Sequence, residues 1–364
     1  MKRFILFFIS VVLCGILAYF RAYQNISFNY DFVEQNNKTT KISNTKTLDI
    51  PMQEGVKSAH SSSTIMLSDG SLLTAFFAGS REGAKDVKIY ANIQNNGTYK
   101  DTFVLLDRQT LIKDSKEYIK KLGNPVFVKL DDKIHFFVVG VSFGGWANSK
   151  IYHYIANEKD LQFHYKQALN LSPFINTSNL VRTNAAAITF ADNSKGFVLP
   201  IYHELANKFP LALIFDGGGG YLQAKQISTI SGLFQPSMIA INKNQALFTF
   251  RADKNVDYKL YTMMCDNSLN CEKPVKTNLL NKDNSINLFM VNNDIYLLYN
   301  SDDDGSRKTL SLAKMKNPSE FEKILDIDNG KEKSYASVVV DDNISHISYT
   351  NDREFIRYKS FLFE

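Results

Sequence analysis

A chain of 364 residues, 44% of them hydrophobic, can bury a large core as one extended β domain or as two smaller ones. Its net charge of +5 is mild, and no basic patch carries interleaved aromatics, which argues against nucleic acid as a partner. Of the three cysteines, the two that lie close together have no histidine nearby, so neither a metal site nor a cofactor is expected.

Lys2-Arg3 precede a mostly apolar run from Phe4 to Phe20, and Arg21 follows. That length is the lower limit for a membrane-spanning helix and also suits a long signal-peptide core. Bulky Tyr19-Phe20-Arg21 after Ala18 disfavour cleavage, so residues 1–21 read as a signal anchor, with a cleaved signal peptide as the alternative. The positive flank then lies in the cytoplasm, residues 4–20 meet the membrane, and the remainder lies on the extracytoplasmic side, or is secreted if cleaved. Residues 22–45 are rich in Asn, Thr and Lys and read as a linker, which leaves 46–364 as the folded part.

The folded part opens with Ser58 to Ile93, which reads as a three-strand meander. Its polar cluster, His60, Arg81, Glu82 and Asp86, falls at strand ends and in the loop Gly79-Ser80-Arg81-Glu82-Gly83. Further β-type runs cover 133–141, 196–202, 245–251, 294–299 and 345–349, whereas Asp114 to Leu122 is the one helical candidate. A polar turn ending in an aromatic or cysteine and leading into a new strand recurs, closing at positions 99, 163, 221, 271 and 321. Spacing near fifty residues in an all-β chain predicts a β-propeller with four strands per blade, and the length allows six blades. The run Gly217 to Gly220 lacks a following Lys-Ser/Thr and a helix, so it reads as a hairpin turn. Cys265 and Cys271 flank a turn and are placed to close a small disulfide in an oxidising compartment.

These turns resemble degenerate Asp-boxes, and the wider pattern resembles the BNR-repeat branch of the sialidase superfamily across residues 55 to 360. The landmarks are His60 to Thr64, Gly79 to Gly83 with Asp86, Gly123-Asn124-Pro125 and Gly144-Gly145-Trp146. They continue with Leu199 to Leu205, Gln235-Pro236-Ser237, Tyr299-Asn300 with Arg307, Ser334-Tyr335-Ala336 and Tyr349-Thr350. The resemblance implies a six-bladed propeller with a retaining glycosidase site in its mouth, where a tyrosine replaces the usual carboxylate nucleophile. Arginines clamp the substrate carboxylate there, because a guanidinium bonds it bidentately.

Carried over by position, Tyr335 matches the nucleophile, Asp86 the acid/base, Arg251 and Arg307 two clamp arginines, and Arg81 a further pocket arginine. Two positions depart. Ala59-His60-Ser61 stands where the first clamp arginine is expected, and Gln235-Pro236-Ser237 stands where the tyrosine's glutamate is expected. His60 is therefore a candidate anion ligand or base, and Glu204 and Glu82 are candidate replacement carboxylates. His203, Trp146, Asn124 and Gln235 complete the candidate substrate-binding set, Trp146 either stacking on a sugar or capping a blade. The implied activity is exo-hydrolysis of a terminal acidic sugar, sialic acid or a relative, from a glycan. The alternatives are a non-catalytic carbohydrate-binding propeller and a hydrolase or lyase for another acidic sugar.

Overall fold

The apolar runs read from the sequence become the second strands of six antiparallel sheets in a computed structural model, which describes residues 2–23, 26–34, 38–171 and 175–364. Each sheet is one blade, and the blades follow one another in chain order around a central channel. Blade one holds Ser58–Met66, Leu72–Gly79, Lys88–Asn95 and Thr98–Tyr99, with Phe103–Leu106 also on its third strand. Blade two holds Lys121–Leu130, Lys133–Val141, Ser149–Asn157 and His164–Ala168. In blade three the inner strand is broken into Asn179–Val181 and Ala186–Phe190, both paired with Lys195–His203, and Phe209–Asp216 and Tyr221–Gln226 follow. Blades four and five run from Leu233–Asn242 to Val275–Leu280 and from Asn287–Val291 to Glu320–Asn329. Blade six, Lys333–Asp341, Ile344–Asn351 and Phe355–Phe363, takes its fourth strand from Ile42–Asp49 and so closes the ring.

Burial on both faces explains the near-continuous apolar character of the second strands: every residue of Leu72–Gly79 is buried. Hydrophobic clusters form between neighbouring blades. Phe77 of blade one meets Phe127 and Phe136 of blade two, and Phe137 meets Phe197 and Phe215 of blade three. Each such phenylalanine contributes about 1.5–3 kcal/mol by leaving water.

The inner strands are sheet edges, whose free N–H and C=O groups must find partners. They find them on side chains of the preceding blade, at all six seams. Ser63 Oγ accepts from Phe127 N (2.9 Å), Ser237 Oγ from Leu288 N (2.8 Å) and Ser337 Oγ from Thr64 N (3.1 Å). Asn124 Nδ2 donates to Val181 O (3.1 Å), Thr183 Oγ1 to Pro236 O (2.6 Å) and Asn287 Nδ2 to Ala336 O (3.3 Å). The small polar residues of these strands are therefore the hoop that binds the blades.

The five recurring turns are the links between third and fourth strands of blades one to five. Blade six has no such turn among the described residues, since its fourth strand is Ile42–Asp49. Cys265 and Cys271, in the fourth of these turns, are joined (S–S 2.05 Å).

Three expectations need correction. The helix spans Arg108–Ser115 and not 114–122: Asp107 caps it by accepting from Thr110 N, and Lys116, at φ 59°, ends it. Residues 22–45 are not all linker, since Phe28–Tyr30 pairs with Ala186–Phe190 and Ile42 begins the closing strand; positions 24–25 and 35–37 of that stretch lie outside the described residues. A helix does span Lys2–Tyr23, with Phe4, Leu6, Phe7 and Phe8 exposed. Among the described residues, however, no helix is long and apolar enough to cross a membrane.

Candidate functional site

Two kinds of segment meet at one face of the ring, the first from five blades and the second from all six. The first is a break near the start of the inner strand. Bulges interrupt the pairing at Ser61, at Gly123-Asn124, at Gln235 and at Tyr335-Ala336, and the gap 182–185 does the same in blade three. Ser61, Gln235 and Tyr335 adopt φ of 57°, 47° and 53°, a left-handed conformation that costs a side-chain-bearing residue about 1–2 kcal/mol. Such strain gathers where a side chain must be re-aimed for function. The second segment is the end of the second strand or the loop after it, which supplies Glu82, Trp146, Glu204, Arg251, Arg307 and Arg353, one from each blade. Together they line a cavity of about 220 Å³.

Tyr335 lines it from blade six. Arg251 Nη1 donates to Tyr335 Oη at 3.1 Å and to Gln235 Oε1 at 3.3 Å, and Gln235 Nε2 donates to Tyr202 Oη at 3.3 Å. Arg251 is itself held by Asp283 (Nε to Oδ1, 2.8 Å). Burial opposes its charge, but Tyr335 and Asp283 outweigh burial and shift its titration upward. The guanidinium groups of Arg182 and Arg307 lie 5.2 and 5.6 Å from the Tyr335 ring centre. Arg307 is fixed by Asn284 Oδ1 (2.6 Å) and the Asp283 carbonyl (3.1 Å). Arg182 is fully buried and donates to the carbonyls of Ser62 (3.3 Å) and Ala336 (2.8 Å). Burial pulls it down to about 10, with the phenols of Tyr335 and Tyr202 acting the other way.

His60 packs against the Tyr335 ring at 4.3 Å between centres, and its Nδ1 lies 3.0 Å from Thr350 Oγ1. Burial, followed by the charges of Arg353, Arg307, Arg182 and Arg251, holds the imidazole well below its usual range, so it is neutral at neutral pH. Glu204 shifts the other way. Burial raises its carboxyl, with Lys208 and Arg251 partly offsetting the rise. A carboxyl raised by burial at the edge of a cationic cavity suits proton donation. Arg353 bridges Glu332 (Nε to Oε2, 2.5 Å) and Glu82. Trp146 lies so close over Gly123 that a Cβ there would stand 2.6 Å from the indole, which explains why that position is glycine.

The structure therefore brings together Tyr335, His60, Glu204, Glu82, Arg251, Arg307, Asn124 and Trp146, with Gln235 bonded to Arg251 behind them. It does not bring Asp86, Arg81 or His203 to the cavity wall. The Asp86 carboxylate is exposed and accepts from Ser80 N (2.8 Å) and Ser80 Oγ (2.9 Å), closing its own loop, and Arg81 is exposed beside it. His203 stacks on Phe209 at 4.8 Å. Sequence reasoning missed Arg182, Tyr202 and Arg353. A signal existed: Arg182-Thr183-Asn184 interrupts blade three's inner strand where other blades carry their bulges, and Arg353 follows blade six's second strand as Glu204 follows blade three's.

A model of the BNR repeat-like domain matches residues 70–347, more than half of the chain. The chain belongs to the BNR repeat-like family. A comparison with curated protein sequences finds no match. Among solved structures, Trypanosoma rangeli sialidase in complex with the inhibitor DANA superposes with a TM-score of 0.64 at 11% identity, over 90% of this chain and 60% of that one. This BNR-repeat chain thus spans about three fifths of the sialidase's length. A Dyadobacter fermentans protein of unknown function gives 0.68 at 12% identity, over 89% and 99% of the two chains. Penicillium chrysogenum alpha-L-arabinanase complexed with arabinobiose gives 0.62 at 8% identity, over 87% and 98%. The fold is a sialidase-like six-bladed β-propeller.

Proposed function

We propose that the protein is an exo-acting glycoside hydrolase that removes a terminal acidic sugar, sialic acid or a close relative, from a glycan. The observation that carries this reading is Tyr335 on a strained bulge, its hydroxyl bonded to Arg251 and its ring flanked by Arg182 and Arg307. In this reading Arg251, Arg307 and Arg353 receive the sugar carboxylate, and Arg182 adds positive charge from below. Arg353 supplies, from blade six, the cation that His60 does not supply from blade one. Tyr335 gives its phenolic proton to water, and its Oη attacks the anomeric carbon as the bond to the leaving oxygen breaks, while Glu204 gives that oxygen its proton. Water then cleaves the glycosyl–tyrosine bond with the Glu204 carboxylate as base. Negative charge gathering on the phenol oxygen during departure of the sugar is met by guanidinium groups already in place. Glu204 replaces Asp86 here as proton donor, because Asp86 is occupied by Ser80.

The test is release of fluorophore from a fluorogenic sialic acid glycoside, with Tyr335→Phe beside the wild type. Release that vanishes in the variant supports the reading, and equal release from both sinks it. A second reading, a carbohydrate-binding propeller without turnover, is favoured by Gln235, an amide bonded to Arg251 at the position expected to hold the tyrosine's carboxylate. It calls for sugar affinity without product. We further propose that the helix Lys2–Tyr23 attaches the propeller to the extracytoplasmic face of a membrane, on the support of its exposed Phe4, Leu6, Phe7 and Phe8. Recovery of the full chain in the soluble fraction after cell lysis would oppose attachment.

A further inference from the structure

We propose that Tyr118 and Phe143 form an aromatic platform, outside the cavity, for the neutral sugar next to the terminal acidic one. This extends the reading of the cavity given above and rests on it. Apart from the N-terminal helix, these two are the exposed aromatic side chains among the described residues, at 53% and 65% exposure. They touch each other, with ring centres 5.4 Å apart and planes inclined by 32°. In a molecule that buries nearly all its rings, two left in water and in contact with each other call for a ligand.

Their place in the fold ties them to the cavity. Tyr118 lies three residues before Lys121, where blade two's inner strand begins, and Asn124 of that strand lines the cavity. Phe143 shares the 142–148 loop with Trp146, which also lines it. Lys121 joins the two places: its ammonium sits 4.0 Å from the Trp146 ring centre. Gly144 and Gly145, next to Phe143, have open space where side chains would stand, so a ligand can lie beside the rings. Two rings offer far less surface than the roughly 1,000 Å² a specific protein interface requires. A pyranose matches them better, since it turns a small C–H face to an aromatic ring and its hydroxyls to water. The occupant is thus a single neutral sugar ring, and the substrate is an oligosaccharide.

The test titrates the full chain with two probes, the methyl glycoside of N-acetylneuraminic acid and sialyllactose. Trp146, the single tryptophan, reports binding by its fluorescence. The wild type should bind sialyllactose about tenfold more tightly than the methyl glycoside. The variant Tyr118→Ala/Phe143→Ala should lose that preference, while its affinity for the methyl glycoside changes less than twofold and its circular dichroism stays that of the wild type. A wild-type preference absent, or undiminished in the variant, overturns the platform and leaves the cavity reading standing. Failure of the wild type to bind either probe overturns the cavity reading and the platform with it.

Discussion

The two faces of the propeller are closed by hairpin turns of similar length, yet they use their polar residues in opposite ways. On the face away from the cavity, the aspartates of several turns are taken up within their own turn. Asp69 accepts from Ser71 N, Asp192 from Ser194 N, Asp216 from Gly218 N and Gly220 N, and Asp266 from Ser268 N and Asn270 N. Their carboxylates are spent on backbone within four residues, as is usual in Asx turns. On the cavity face, charged groups reach across blades: Arg251 of blade four to Tyr335 of blade six, and Arg353 of blade six to Glu82 of blade one. The channel shows the same contrast. Its far end is lined by regular strand residues such as Ala187, Met238, Leu288 and Val339, whereas its near end carries the bulges. On the cavity face, a charged residue is a chemical candidate when its partner lies on another blade. Asp86, bonded to Ser80, belongs by that criterion with the self-satisfied turns although it sits on the cavity side.

Five substitutions probe this contrast. Tyr335→Phe should lower turnover at least about a thousandfold, as removal of a nucleophile does, with the melting temperature nearly unchanged. Glu204→Gln should cost about a hundredfold or more in kcat. In the proposed role the acid form of Glu204 is the active one, and burial raises its carboxyl, so wild-type activity should fall as pH rises through the shifted value and the variant should lose that limb. Asp86→Asn should change activity less than threefold; a loss matching that of Glu204→Gln would reverse the two assignments.

The fourth substitution separates acid effects on the scaffold from those on the cavity. His135 and His153 are buried in the wall of blade two, Nδ1 to Nε2 at 3.1 Å. Burial, with Lys133, lowers His135 to about 4, against 6.5 in the unfolded chain. The unfolded state therefore takes up the proton first. The stabilisation is complete above about pH 6.5, and about 3 kcal/mol of it is lost as pH falls toward 4. Melting curves should show a smaller acid loss in His135→Gln. The smallest effect belongs to the far end of the channel: Val339→Ala should cost about 1 kcal/mol in denaturant titrations and leave turnover unchanged.

Strand runs, the turn repeat and the six-blade count were legible because each is local: alternation, polar turns and spacing lie within one hairpin. Tyr335, Arg251 and Arg307 were legible through their neighbours in sequence, since Ser-Tyr-Ala and the strand ending at Arg251 are short patterns. Arg182 was not, because its importance comes from the carbonyls of Ser62 and Ala336 on two other blades. Arg353 was missed for the same reason, its partners being Glu82 and Glu332. Asp86 looked chemical because spacing from Arg81 reveals nothing of the Ser80 hydroxyl that holds it. The closing strand was hidden because Ile42–Asp49 is mostly polar and exposed, an outer edge strand without an apolar face.

That closing strand also sets the order in which the molecule can be made. Thr45 bonds Ser360 across 315 positions of sequence, so the first strand of the ring waits for the last. Until Phe355–Phe363 has left the ribosome, five blades can stack as an open arc, but Ile42–Asp49 has nothing to pair with. Closing a loop of that length costs about 5 kcal/mol in chain entropy, and contacts so distant in sequence form slowly. The cavity draws on blades one and six alike, through His60 and Tyr335, and so comes into being only when the ring latches. A nascent chain therefore carries no working site, and loss of the final strand takes away the whole cavity together with one blade.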